Sequence, residues 1–136
     1  MQDPTFDRII FFLRIALGVL FFWFGVLKLF GFNPVYEIVY ASFPFLAHGF
    51  GNFALGTFEA VIGIVLILNV AQNAAHVALA GHLLGTLSVF VLSPSLMFDP
   101  YFPALSLSGE FVFKNIILLL AGFVILRYNQ IHRPHA

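Results

Sequence analysis

The sequence predicts an all-α membrane protein: a four-helix transmembrane bundle with a short interfacial helix in the first outer loop. Three observations carry this. Of 136 residues, 61% are hydrophobic and 9% charged, where an ordinary soluble domain has about 25% charged. The mean hydropathy is +1.01. The apolar residues also gather into four runs, each near the roughly 20 residues a helix needs to cross the hydrocarbon core. Six Lys+Arg and six Asp+Glu cannot cover the surface of a soluble fold. A disordered chain would need the opposite composition.

The first run is Ile9 to Phe30. The segment before it carries Asp3, Asp7 and Arg8 and lacks a small-residue cleavage site after a short apolar core, so the run reads as a retained span. The second run extends from about Phe53 to Val70, the third from about Ala74 to Leu92 and the fourth from about Phe111 to Tyr128. All four belong to one transmembrane domain, 1–136. Asn69 to Asn73 is a tight polar turn, which makes spans two and three a helical hairpin. Gly31 to Asn52 is longer. Asn33-Pro34 offers an N-cap with proline at the first helical position, followed by two turns' worth of VYEIVYAS. Tyr36 and Tyr40 share a face there and suit a water–lipid boundary. Ser93 to Glu110 holds Pro94, Pro100 and Pro103 without a regular period. It is expected to form an ordered apolar cap over the outer end.

Arg8 and Arg14 lie towards the N-terminal side, and Arg127 and Arg133 towards the C-terminal side. Lys28 and Lys114 lie at the opposite ends of their spans. The excess of cations predicts both termini in the cytoplasm, in a bacterial inner membrane. The formal charge is +0 with no basic tract, which argues against nucleic-acid binding. There are no cysteines, so thiolate catalysis, disulfides and iron–sulfur clusters are excluded. His76 and His82 are about 240° apart around one helix and cannot ligate one haem iron together. No HxxxH or HxxE spacing suggests a metal site.

Ionisable groups within spans are costly and turn towards the bundle interior or a wet cavity. At about 100° per residue, Arg14, Gly18, Phe21, Gly25 and Lys28 fall within about 80° of arc, which makes them the inward stripe of the first span. Glycines on it let a neighbouring helix approach closely. Gly56 and Gly63 form a similar stripe in the second span, with Glu59 at its edge. Gly81 and Gly85 are expected to do so in the third, where His82 lies near mid-membrane. In the fourth, Glu110 precedes Lys114 by four residues, a spacing that favours a weak pair. Counting along alternating spans brings Lys28, Glu59 and Lys114 to one depth. Two ammonium groups around one carboxylate would leave a net positive site, suited to an anionic or quinone-like oxygen or a lipid headgroup. The same three charges read equally as a structural cluster that pins the helices. Arg14, His82 and Glu110 are secondary candidates, each with a bland alternative in snorkelling or local hydrogen bonding.

The run Arg14-Ile15-Ala16-Leu17-Gly18, with Phe22, Gly25 and Lys28, then Glu59 with Gly63, then Lys114-Asn115, resembles the DoxX-like superfamily of small four-span bacterial membrane proteins. Gly85 to Phe90, Ser93-Pro94, Phe102-Pro103 and Ser108 to Phe111 resemble its branch of inner-membrane proteins linked to reactive-chlorine resistance. The resemblance implies a four-helix bundle and a role in redox physiology, as a quinol-oxidase subunit or a partner of redox and thiol-protecting enzymes. The lack of cysteine excludes direct dithiol exchange here.

Two functions follow. One is a membrane component of a redox or oxidant-defence system, either binding a quinone or other lipophilic ligand at Lys28, Glu59 and Lys114 or serving as an accessory to larger oxidoreductase subunits. Nineteen Phe could line such a pocket, or simply face lipid. The other is a non-catalytic scaffold subunit, or a homo-oligomer, whose glycine stripes dock helices. Four short spans are too few for a usual alternating-access transporter unless the chain oligomerises.

Overall fold

A computed structural model describes residues 3–133. Helix α1 spans Pro4–Leu29. It starts ahead of the apolar run at Ile9 because Asp3 caps it: the Asp3 carboxylate accepts from Thr5 N at 2.9 Å, and Pro4 occupies the first turn. Capping of this kind satisfies donors that the first turn leaves free. The chain leaves α1 through Gly31, at φ 87°, a backbone region that glycine enters without steric cost.

Helix α2 is short, Tyr36–Ser42. Asn33 does not cap it. The Asn33 side chain instead closes a local turn, accepting from Val35 N at 3.2 Å, and donates to Asn52 Oδ1 at 3.1 Å. Tyr36 and Tyr40 stack at 5.9 Å, with the His48 ring beside both. One 3-10 turn, Pro44–Leu46, leads into α3, Gly49–Leu68. This helix ends at Asn69, in the left-handed region at φ 58°, which asparagine tolerates better than most residues. A three-residue turn then opens α4, Gln72–Leu87. Helix α5, Val89–Leu92, prolongs it. After α6, Pro94–Met97, the chain makes an antiparallel bridge between Phe98 and Leu105. The last rod is α7, Leu107–Phe113, followed by α8, Asn115–His132. Ser106 fixes its start: its Oγ accepts from Gly109 N at 2.9 Å and donates to Leu96 O at 2.6 Å.

Among the described residues, four helical stretches are long and apolar enough to cross a membrane: Pro4–Leu29, Gly49–Leu68, Gln72–Leu92 and Leu107–His132. They form an antiparallel bundle made of two closely packed pairs, α1 with α3 and α4 with α8. The first pair is sealed by glycine. A Cβ at Gly25 would come within 3.0 Å of the backbone of Gly56 and Ala60, and one at Gly63 would meet the backbone of Gly18 and Phe22. Dispersion and close backbone approach are what hold helices together in lipid, where apolar burial offers little. In the second pair, Gly122 of α8 receives Leu79 of α4.

Two apolar cores result. One lies towards the chain termini and includes Leu17, Phe21, Leu66, Leu79, Leu83 and Ile125. The other lies under the loops and joins Ile38, Val89, Met97 and Val112. The loop-end cap is therefore packed into the bundle, with Met97 and Val112 fully buried.

Candidate functional site

The two helix pairs do not close on each other along their whole length. Between the two cores lies a cavity of about 390 Å³, and the ionisable residues of the spans meet on its wall. Lys28 sits in the last turn of α1. Helical side chains lean towards the N-terminus of their helix, so its ammonium reaches back into the bundle. Glu59 leans the opposite way, because α3 runs antiparallel. The two meet with Lys28 Nζ 2.7 Å from Glu59 Oε2. Lys28 is 2% exposed and Glu59 4%. A lone carboxylate at that depth would be very costly. The ammonium offsets that cost and leaves the pair formally neutral.

The third member of the group is His82, from the middle of α4. Its Nε2 lies 3.2 Å from Glu59 Oε1. Its ring is held by edge contact with Phe21 at 5.4 Å and by Phe58 at 6.3 Å. One carboxylate thus has an ammonium on one oxygen and an imidazole on the other. His82 and Thr86 also line a second cavity of about 440 Å³, bounded by Phe43, Leu46, Ala54 and Phe58. The imidazole therefore stands in the partition between two apolar spaces.

The far wall of the first cavity is built by the fourth rod. Lys114 lies at the joint between α7 and α8 and lines the cavity with Asn115. The expected triad of Lys28, Glu59 and Lys114 is therefore split. Among the described residues Lys114 has no carboxylate oxygen within 4.0 Å, and its side chain is exposed. It faces the buried pair across the cavity, and His82 takes the place beside Glu59 that had been expected for it. Asn115 is 6% exposed, and among the described residues its amide has no hydrogen-bond partner. The other hydroxyls on the wall are engaged with their own helices, Ser42 with Ile38 O and Thr86 with His82 O.

A family model described as DoxX matches residues 9–92. The chain belongs to the DoxX family. No curated protein and no solved structure matches it. The matched stretch of this DoxX protein runs from within α1 through α5, and takes in Lys28, Glu59 and His82. Lys114 and Asn115 lie beyond it, on the fourth rod.

The remaining candidates of the DoxX chain fall elsewhere. Arg14 is about 21 Å along α1 from Lys28. Its Nη1 donates to Ile67 O at 2.7 Å and to Leu66 O, so it caps the end of α3, where carbonyls lack partners and a cation is favoured. Glu110 is exposed and makes no salt bridge with Lys114 among the described residues. Gly81 and Gly85 do not seat a neighbouring helix: nothing lies within 4 Å of a Cβ built at Gly81, and Gly85 meets a Phe43 ring carbon at 3.5 Å. Both line the second cavity instead. The small residue that lets α8 approach α4 is Gly122.

Proposed function

We propose that this DoxX-family membrane protein binds a lipophilic ligand bearing carbonyl or hydroxyl oxygens, of the quinone or quinol type, as a component of a redox or oxidant-defence system. The observation that carries the reading is the buried Lys28–Glu59 pair, with His82 on the other carboxylate oxygen, opening onto an apolar cavity of about 390 Å³. Pockets of this kind, apolar with a few convergent polar groups, are the usual form of small-molecule sites. A flat quinol would bury its ring against Phe21, Phe24 and Phe111, with one hydroxyl donating to the Glu59 carboxylate beside His82 and the other oxygen facing Lys114 and Asn115. The redox assignment rests on the family likeness. We further propose that the termini face the cytoplasm of a bacterial inner membrane. Arg8, Arg14, Arg127 and Arg133 near the chain ends support this.

One observation favours a second reading, a scaffold subunit of a larger membrane complex. Lys28 and Glu59 satisfy each other directly and tie together the two helices sealed by glycine.

The test is a titration of detergent-purified protein with a short-chain quinol, kept reduced, read by isothermal calorimetry. Saturable binding that weakens about tenfold or more in Glu59→Gln and in Lys114→Ala, at unchanged fold, supports the ligand site. No binding by the wild-type protein, with larger subunits retained on purification, supports the scaffold.

A further inference from the structure

At the termini end of the bundle, remote from the cavity just described, a second polar site lies between α1 and α8. It is a cavity of about 270 Å³ whose wall includes Asp7, Phe11, Arg14, Tyr128, His132 and Arg133. Arg14 is 8% exposed. One of its nitrogens is spent on the carbonyls of Leu66 and Ile67. Its Nε and Nη2 have no protein partner among the described residues. Among the described residues the one acid on the wall, Asp7, is engaged by the Tyr128 hydroxyl. Among the described residues, neither Arg14 nor Arg133 makes a salt bridge with Asp7 or any other carboxylate. His132 stacks on Tyr128 at 4.3 Å, and its Nδ1 is directed at Tyr128 O, which leaves Nε2 free. Counting the described residues, two guanidinium groups face one carboxylate, an excess of positive charge. Exposed Phe6, Phe11 and Ile131 flank it on the same two helices, Phe6 with its ring edge against Tyr128.

We propose that this cavity holds the phosphate of an acidic phospholipid, with the acyl chains lying along the exposed faces of α1 and α8. Guanidinium groups with free N–H donors match phosphate oxygens in geometry as well as charge. Basic pockets between membrane helices at one leaflet are suited to such headgroups. A soluble anion would satisfy the guanidinium groups equally. The flanking aromatic and aliphatic surface is what selects a ligand with tails.

Native mass spectrometry of the purified full chain, offered equimolar phosphatidylglycerol and phosphatidylcholine, tests this. The wild type is expected to retain phosphatidylglycerol preferentially, and Arg133→Gln to lose roughly fivefold of that preference. Arg14→Gln should lose as much, but it also removes the cap on α3. Arg133→Gln, on an exposed residue at the helix end, therefore carries the decision. Equal retention of both lipids by the wild type overturns the proposal, as does an unchanged preference in Arg133→Gln. Complete displacement of phosphatidylglycerol by millimolar inorganic phosphate would identify a free-anion site and overturn the lipid assignment.

Discussion

Lys28 Nζ and Glu59 Oε2 lie 2.7 Å apart with both residues almost fully buried, and the bond spans the two helices that approach most closely. Removing one partner leaves the other charge in an apolar interior. Glu59→Ala or Lys28→Ala should each cost about 3–5 kcal/mol. The paired apolar replacement, Lys28→Met with Glu59→Leu, should recover most of that loss, because it removes both desolvation penalties together. Thermal melts of the two single variants and the double variant in one detergent check this. A double variant as unstable as the sum of the singles would mean that the pair does more than balance charge.

The glycine contacts predict a contrast within one residue type. Gly25→Ala and Gly63→Ala should each lower stability by about 1–3 kcal/mol, because the added methyl meets the backbone of the partner helix, which cannot rotate away. Gly81→Ala should leave stability unchanged or raise it by up to about 1 kcal/mol, since the space beside Gly81 is open. The same melts, run side by side, report both.

The helical class and the four membrane-length helices could be read from the sequence because lipid imposes simple demands: long apolar runs with every backbone group paired internally. The face of α1 was equally readable. Its period places Arg14, Gly18, Phe21, Gly25 and Lys28 on one stripe, and all five are buried. Lys114 and His82 were harder. Residue counting gives depth along a helix, but the angle at which α4 and α8 present their side chains is set by packing, including the seat that Gly122 provides for Leu79. That rotation brings His82 to Glu59 and leaves Lys114 across a cavity. The early start of α1 turns on one local cap, Asp3 to Thr5, which an apolar count does not register.

A buried polar knot ties α4 to α8 at the termini end. Asn129 Nδ2 donates to Gln72 Oε1 and to Asn69 Oδ1, each at 3.3 Å, and Gln72 Nε2 donates to Val65 O at 3.3 Å. Asn129→Leu should therefore cost about 0.6–1.7 kcal/mol, from the average to the largest value for interhelical hydrogen bonds within membranes. Amide hydrogen exchange should quicken locally at residues 69–72, where the turn loses its anchor, while exchange around Glu59 stays as it was. Uniform quickening through the bundle would show instead that the knot holds the whole fold.

Asn115 separates binding from folding most cleanly. It is buried at the start of α8, it lines the first cavity, and its amide takes no hydrogen bond from the protein among the described residues. Among the described residues the fully buried side-chain polar atom without a partner is His76 Nε2; the Asn115 amide keeps access to the cavity it lines, where a ligand oxygen can reach it. Asn115→Leu exchanges an amide that makes no hydrogen bond within the described residues for an apolar side chain of similar shape, so the empty protein should melt at the same temperature or higher. If a ligand oxygen completes the amide, the same substitution should weaken short-chain quinol binding by roughly five- to thirtyfold. Calorimetry and a melt on the same samples give both readouts. Binding equal to wild type in Asn115→Leu would remove this residue from the site and leave only the Glu59 and His82 wall to hold the ligand.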